Sequence, residues 1–167
     1  GPRVRLSMPF WIVIGDDAQA LTEQWMHYLQ SQAAVILPSS LSRQKNIDLL
    51  QQAVLAGADL LHDGSHVPAP EHGWYMGKSL LVNVTPEMGL HQLPVNPLAV
   101  MIMRVPDVSA AVDVINEMDE VGGVSLFTGS MTSMGRFKQV LTEAEVISFN
   151  RMALVPSLSL PRGDINY

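Results

Sequence analysis

Three of the five histidines, His62, His66 and His72, share one stretch with Asp63, in "HDGSHVPAPEH". Imidazole and carboxylate groups that close in sequence are the raw material of a divalent-metal site. Such a site also needs fixed geometry and outer partners that orient each ligand. The surrounding segment, residues 62–77, is punctuated by Pro and Gly and is the one long irregular stretch in the chain, so solvated loop histidines are expected and no metal is assigned. Asp16 and Asp17 form a carboxylate pair of the kind used in acid–base chemistry. They stand just before an amphipathic segment, where a helix N-cap explains them. Ser39, Ser40 and Ser130 have no His at a spacing that suggests an activated nucleophile. The chain contains no Cys, which excludes a thiolate nucleophile, thiolate metal ligands and disulfides within it. "EVGGVS" lies between a helix and a strand, the wrong order for a phosphate-cradling loop. "RGD" at Arg162–Asp164 is a short match in the tail and carries no argument. No catalytic, cofactor-binding or metal-ligating residue is therefore assigned, and no cofactor is expected.

The elements around these residues alternate. "FWIVI" (10–14) has the length and β-branched content of a strand. Asp16 or Asp17 then opens a helix whose Leu21, Trp25, Tyr28 and Leu29 share a face. "AAVILP" reads as a second strand stopped by Pro38. Ser40 or Ser42 caps a helix with Ile47, Leu50 and Val54 on one side, widened by Leu49 and Ala53. Gly57 suits the position just past its end. "DLLHDG" is a short strand running into a turn, and "SLLVNV" and "LAVMIMRV" are strands on either side of "TPEMGLHQLPVNP". Asp107 or Ser109 starts a helix marked by Val108, Ala111, Val112, Ile115 and Met118. "GGVSLFT" is a strand, Thr132 or Ser133 caps a further helix, and "EVISFN" is the last clear strand. The tail "RMALVPSLSLPRGDINY" is extended and broken by proline. Strand–helix alternation with short connections predicts an α/β fold: a mostly parallel open sheet with helices on both faces. Near-continuous apolar strands fit that burial. The methionines, Met101 and Met103 among them, are expected to fill a core.

Composition sets outer limits. The chain has 167 residues, 47% hydrophobic and 16% charged, with net charge −6. That suits a single folded domain. Scattered Lys and Arg argue against nucleic acid as a partner. No apolar run reaches the roughly 18 residues of a spanning helix, so no membrane role is expected and a cytoplasmic location is. "GPRVRLSM" lacks the apolar region of a signal peptide. Gly1-Pro2 has the look of a cleaved tag, residues 1–7 are expected to lie outside the fold, and residues 8–167 to form one domain.

From "GWYMGKSLLVNVTPEMGL" onward the order of motifs resembles the aldehyde dehydrogenase superfamily, in the second half of its catalytic domain. Gly73-Trp74-Tyr75 stands for the family's glycine–aromatic pair, and Val84-Thr85-Pro86-Glu87-Met88 for its V-T-P-x-M step. The segment 107–116 stands for the acid-opened helix, Gly123–Thr128 for the G-L-x-A-x-V-F-T strand, and "VISFN", ending at Asn150, for the strand that ends in Asn. Upstream, "SSLSRQKNIDLLQQAVLAGADLLHDG" resembles the family's helix leading to a G-A-x-x-hydrophobic strand, and the region from Phe10 the strand and helix just after the nucleophile. The resemblance departs where the family does its chemistry. The family nucleophile is a Cys placed before the region that begins here, and the chain has none. The family's E-x-F-G-P falls on Leu93-Pro94-Val95-Asn96-Pro97, so the Glu that holds the nicotinamide ribose is Leu93, the Phe is Val95, and Pro97 alone is kept. The dinucleotide-binding domain is mostly upstream. The resemblance thus implies a non-catalytic aldehyde-dehydrogenase-like domain in which Leu93 and Val95 serve packing. Such a half-fold exposes apolar surface, so the expected partner is a second copy of the chain or another protein. Similar degenerate domains, appended to bifunctional proline-catabolic enzymes, close a channel between active sites. The alternative is a small-molecule binding or regulatory module, with residues 62–77 walling a pocket at the carboxyl ends of the strands.

Overall fold

The computed structural model describes residues 10–15, 18–94, 96–118, 124–128 and 148–149, the last two stretches by their backbone. The elements in chain order are β1 (Phe10–Ile14), α1 (Ala18–Leu29), β2 (Val35–Leu37), α2 (Ser40–Ala56), β3 (Asp59–His62), β4 (Trp74–Met76), β5 (Ser79–Val84), β6 (Ala99–Val105), α3 (Val108–Glu117), β7 (Val124–Thr128) and β8 (Ser148–Phe149).

Six strands form one sheet in the order β3-β5-β6-β1-β7-β8. All neighbours are parallel except β3, which runs antiparallel to β5 at the edge. Each central strand is apolar on both faces because each face has its own helix layer. Phe10, Ile12 and Ile14 alternate with Trp11 and Val13 along β1. The first set joins Met101, Met103 and Val105 of β6 under α2 and α3. The second joins Val100 and Ile102 under α1, where Leu21, Trp25 and Leu29 are buried. Trp25 meets Trp11 edge-on at 6.4 Å between ring centres, and Tyr28 meets Trp25 at 5.6 Å. Such offset rings favour one packing of α1 on the sheet.

Strict alternation would put Leu81 and Val84 on opposite faces, yet both lie in the α2–α3 core. A register shift between them inserts one residue, and Asn83 takes it up with φ 58°. Asn tolerates that left-handed backbone better than most residues, and its side-chain amide donates to Asp59 of β3.

Several sequence expectations need correction. "VIL" of β2 is not a buried strand of the main sheet. It pairs antiparallel with β4 in a separate two-stranded ribbon, and Val35 and Ile36 are exposed. An apolar run of three residues carries no information about which sheet it joins. The cap of α2 is Ser39, whose Oγ accepts from Ser42 N at 3.1 Å, rather than Ser40 or Ser42. Val54 is exposed, and the buried face of α2 centres on Leu50 and Ala53. Other expectations agree: Gly57 ends α2 with φ 115°, and Asp107 caps α3 by accepting from Ala110 N at 2.9 Å. Asp16, Asp17, Val95, Ser130, Thr132, Ser133 and Arg162–Asp164 lie outside the described residues, as do residues 1–9.

Candidate functional site

One concave feature is built by the chain between β5 and β6. After Val84 the backbone makes a short 3-10 turn at Pro86–Met88, reverses at Gly89 (φ 70°) and makes a second at Leu90–Gln92; residues 93, 94 and 96–98 lie before β6. Two prolines in that last stretch, Pro94 and Pro97, lack a ladder donor and keep it out of the sheet. Asn96 organises it: its side-chain oxygen accepts from Leu98 N at 2.8 Å, and its Nδ2 donates to Asn46 Oδ1 of α2 at 2.8 Å. Between this stretch, α2 and β2 runs an open groove of about 730 Å³.

Leu37, Leu49, Leu93, Pro94 and Leu98 give the groove an apolar wall, and Lys45, Asn46, Gln52 and Asn96 give it polar points. No carboxylate and no thiol line it among the described residues. Such a surface binds by shape and area with a few polar anchors. Leu93 is partly buried against the core of the α2–α3 face.

Residues 62–77 end up elsewhere. Gly64 N donates to Ser79 Oγ at 2.8 Å and Gly77 N to Gly64 O at 2.9 Å. The loop therefore docks at the start of β5, the amino end of a parallel strand, not at the carboxyl ends where open sheets hold ligands. Asp63 Oδ1 accepts from Ser65 N and Ser65 Oγ, which makes it the cap of a short 3-10 turn. His62 Nδ1 lies 3.1 Å from Lys78 O, while His66 and His72 are exposed. Among the described residues no group of three or more His, Asp or Glu converges as metal ligands would. Arg43 ties loop, ribbon and helix together: Nε donates to Tyr75 O at 2.8 Å and Nη2 to Ser65 O at 3.0 Å. Burial pushes the Lys78 amine below its ordinary range and the Tyr28 phenol above its own.

Sequence reasoning missed Arg43, the Asn46–Asn96 pair and His91. His91 is buried, and its Nε2 lies 2.6 Å from Glu117 Oε1 at the end of α3. These partners stand 32, 50 and 26 residues apart for Arg43–Tyr75, Asn46–Asn96 and His91–Glu117, so no local pattern announces them.

A parallel sheet covered on both faces, with an antiparallel edge strand and a long irregular link before β6, defines an α/β domain of the doubly wound class. The chain belongs to the aldehyde dehydrogenase family, whose model matches residues 32–163. It is 30% identical over 108 residues to malonate-semialdehyde dehydrogenase 2 of Shouchella clausii, covering 65% of this chain and 22% of that protein. It is 27% identical over 120 residues to malonate-semialdehyde dehydrogenase 2 of Bacillus mycoides, covering 71% of this chain and 25% of that one. The fold is that of the methylmalonate-semialdehyde dehydrogenase of Oceanimonas doudoroffii, with TM-score 0.68 and 23% identity over 81% of this chain and 30% of that one. The NAD-dependent aldehyde dehydrogenase of Sinorhizobium meliloti superposes with TM-score 0.66 and 15% identity, over 82% of this chain and 31% of that one. The chain thus spans a quarter or less of the length of these two curated relatives. No helix among the described residues is long and apolar enough to cross a membrane.

Proposed function

We propose that this chain is a non-catalytic member of its family that works by protein–protein contact, pairing with a second copy of itself or with another protein. The supporting observation is the groove. Where the family pattern has an acid that holds a ribose, Leu93 contributes apolar wall, and among the described residues none that lines the groove carries a carboxylate or thiol. Ile36, Trp74 and Leu41 are exposed around the ribbon and the start of α2, an apolar surface of the kind that association hides. The semialdehyde activities in the relatives' names need a nucleophile that these 167 residues do not contain. Calorimetric titration with NAD and a coupled assay with malonate semialdehyde test the non-catalytic part. Neither binding heat nor turnover is expected; turnover by the chain alone overturns the reading.

A second reading is small-molecule binding in the same groove. It is favoured by the hydrogen-bonded Asn46–Asn96 pair beside Lys45, polar points on an apolar floor. A thermal-shift screen with aldehydes, carboxylates and nucleotides separates the two. A saturable shift lost in Asn96→Ala supports the second reading, and no shift in any class removes its support.

A further inference from the structure

His91 is the only ionisable side chain between residues 90 and 98, and its side chain is 1% exposed. Its Nε2 faces Glu117 Oε1, whose own side chain is 52% exposed. A carboxylate at that distance takes a hydrogen bond from an Nε2–H. The other ring nitrogen, Nδ1, is buried and has no hydrogen-bond partner among the described residues. His91 borders a small cavity of about 20 Å³, together with Phe10, Leu93, Pro94, Asn96 and Met101. That volume accepts one water molecule. Leu93, Pro94 and Asn96 are shared: they separate this cavity from the groove.

The backbone of this stretch bonds mainly to itself. Gln92 N donates to Gly89 O, Leu93 N to Leu90 O and Leu98 N to Asn96 Oδ1. Its polar side chains reach outward at two points, Asn96 to α2 and His91 to α3. The Leu98 end is also tied to β5, where Ser79 N donates to Leu98 O at 2.8 Å, so His91 is the side chain that holds the other end.

We propose that His91 is the positioning residue of the groove. Fastened by Glu117 at Nε2 and by one buried water at Nδ1, it fixes residues 90–98 against α3 and so sets where Leu93, Pro94 and Asn96 stand. This holds whichever occupant the groove takes.

The test uses the full chain with Glu117→Ala and Glu117→Gln, read by amide hydrogen exchange. In Glu117→Ala the amides of Gln92, Leu93 and Leu98 exchange about tenfold faster, as local opening predicts, while those of β5 and β6 keep their rates. Glu117→Gln, whose amide oxygen still accepts, restores most of the protection. Unchanged exchange in the alanine variant, or acceleration spread equally through β5 and β6, overturns the proposal. Nitrogen-15 spectra of the wild-type histidine rings give a readout that needs no variant. A proton on Nε2 with a water contact at Nδ1 supports the assignment, and a ring protonated on Nδ1 alone refutes it.

Discussion

Single residues carry this fold across long sequence distances, and Arg43 shows it most plainly. Its guanidinium serves the carbonyls of Ser65 and Tyr75 at once, from the first turn of α2. Arg43→Met should destabilise the chain by about 2 kcal/mol in urea unfolding, since hydrogen bonds from a charged donor are lost and two carbonyls are left under-satisfied. Arg43→Lys should recover less than half of that, because an ammonium lacks the planar fork. Two further residues give stability a signature at alkaline pH. Burial lowers the Lys78 amine below 10.5, so in the window just under that value the unfolded chain binds more protons and stability rises with pH. Burial raises the Tyr28 phenol above 10.0, so past that value the folded chain holds more protons and stability falls. Tyr28→Phe should leave only the rise and Lys78→Met only the fall, measured as denaturant midpoints across alkaline pH.

Elements were legible where their signal is local. The strands β1, β5 and β6 read directly from short apolar runs, because burial on both faces makes most positions apolar. The period of α3 was equally open, and its start was narrowed to Asp107 or Ser109, of which Asp107 is the cap, since both signals are written within a few residues. The pairing of β2 was not, because an exposed apolar tripeptide looks like a buried one until its partner is known. The loop at 62–77 docks at the start of β5, and its Asp63, Ser65 and His66 wall an open pocket against α2. Its geometry makes a sharp prediction about two glycines. A Cβ on Gly64 would run into the backbone carbonyl of Gly77, which cannot move without breaking the dock on β5. A Cβ on Gly77 meets the Val67 side chain, Cγ2 at 2.6 Å and Cβ at 3.0 Å, which is stiff at χ1 and gives way only by shifting as a whole. Gly64→Ala should therefore cost about 3 kcal/mol and Gly77→Ala less, about 2 kcal/mol. Equal costs for the two variants would mean the loop is not docked as described.

At the scale of the whole molecule, the family match over residues 32–163 places the chain in a family of enzymes, and the groove before β6 is lined, among the described residues, by apolar side chains, amides and Lys45. The sequence showed Leu93 and its neighbours through the resemblance to a family motif. It did not carry the groove's supports, Asn46, Asn96 and His91 with Glu117, because each depends on two distant segments meeting. What the surface offers instead is apolar area, with Ile36 65% exposed on the ribbon. The measurement that bears most directly on the proposed role is mass in solution by light scattering after size exclusion, over a concentration series, for the wild type and Ile36→Asp. A dimer or larger assembly in the wild type that falls to monomer in Ile36→Asp is the predicted result. A wild type that stays monomeric at every concentration, and retains no protein from its source cells on an affinity column, would contradict it.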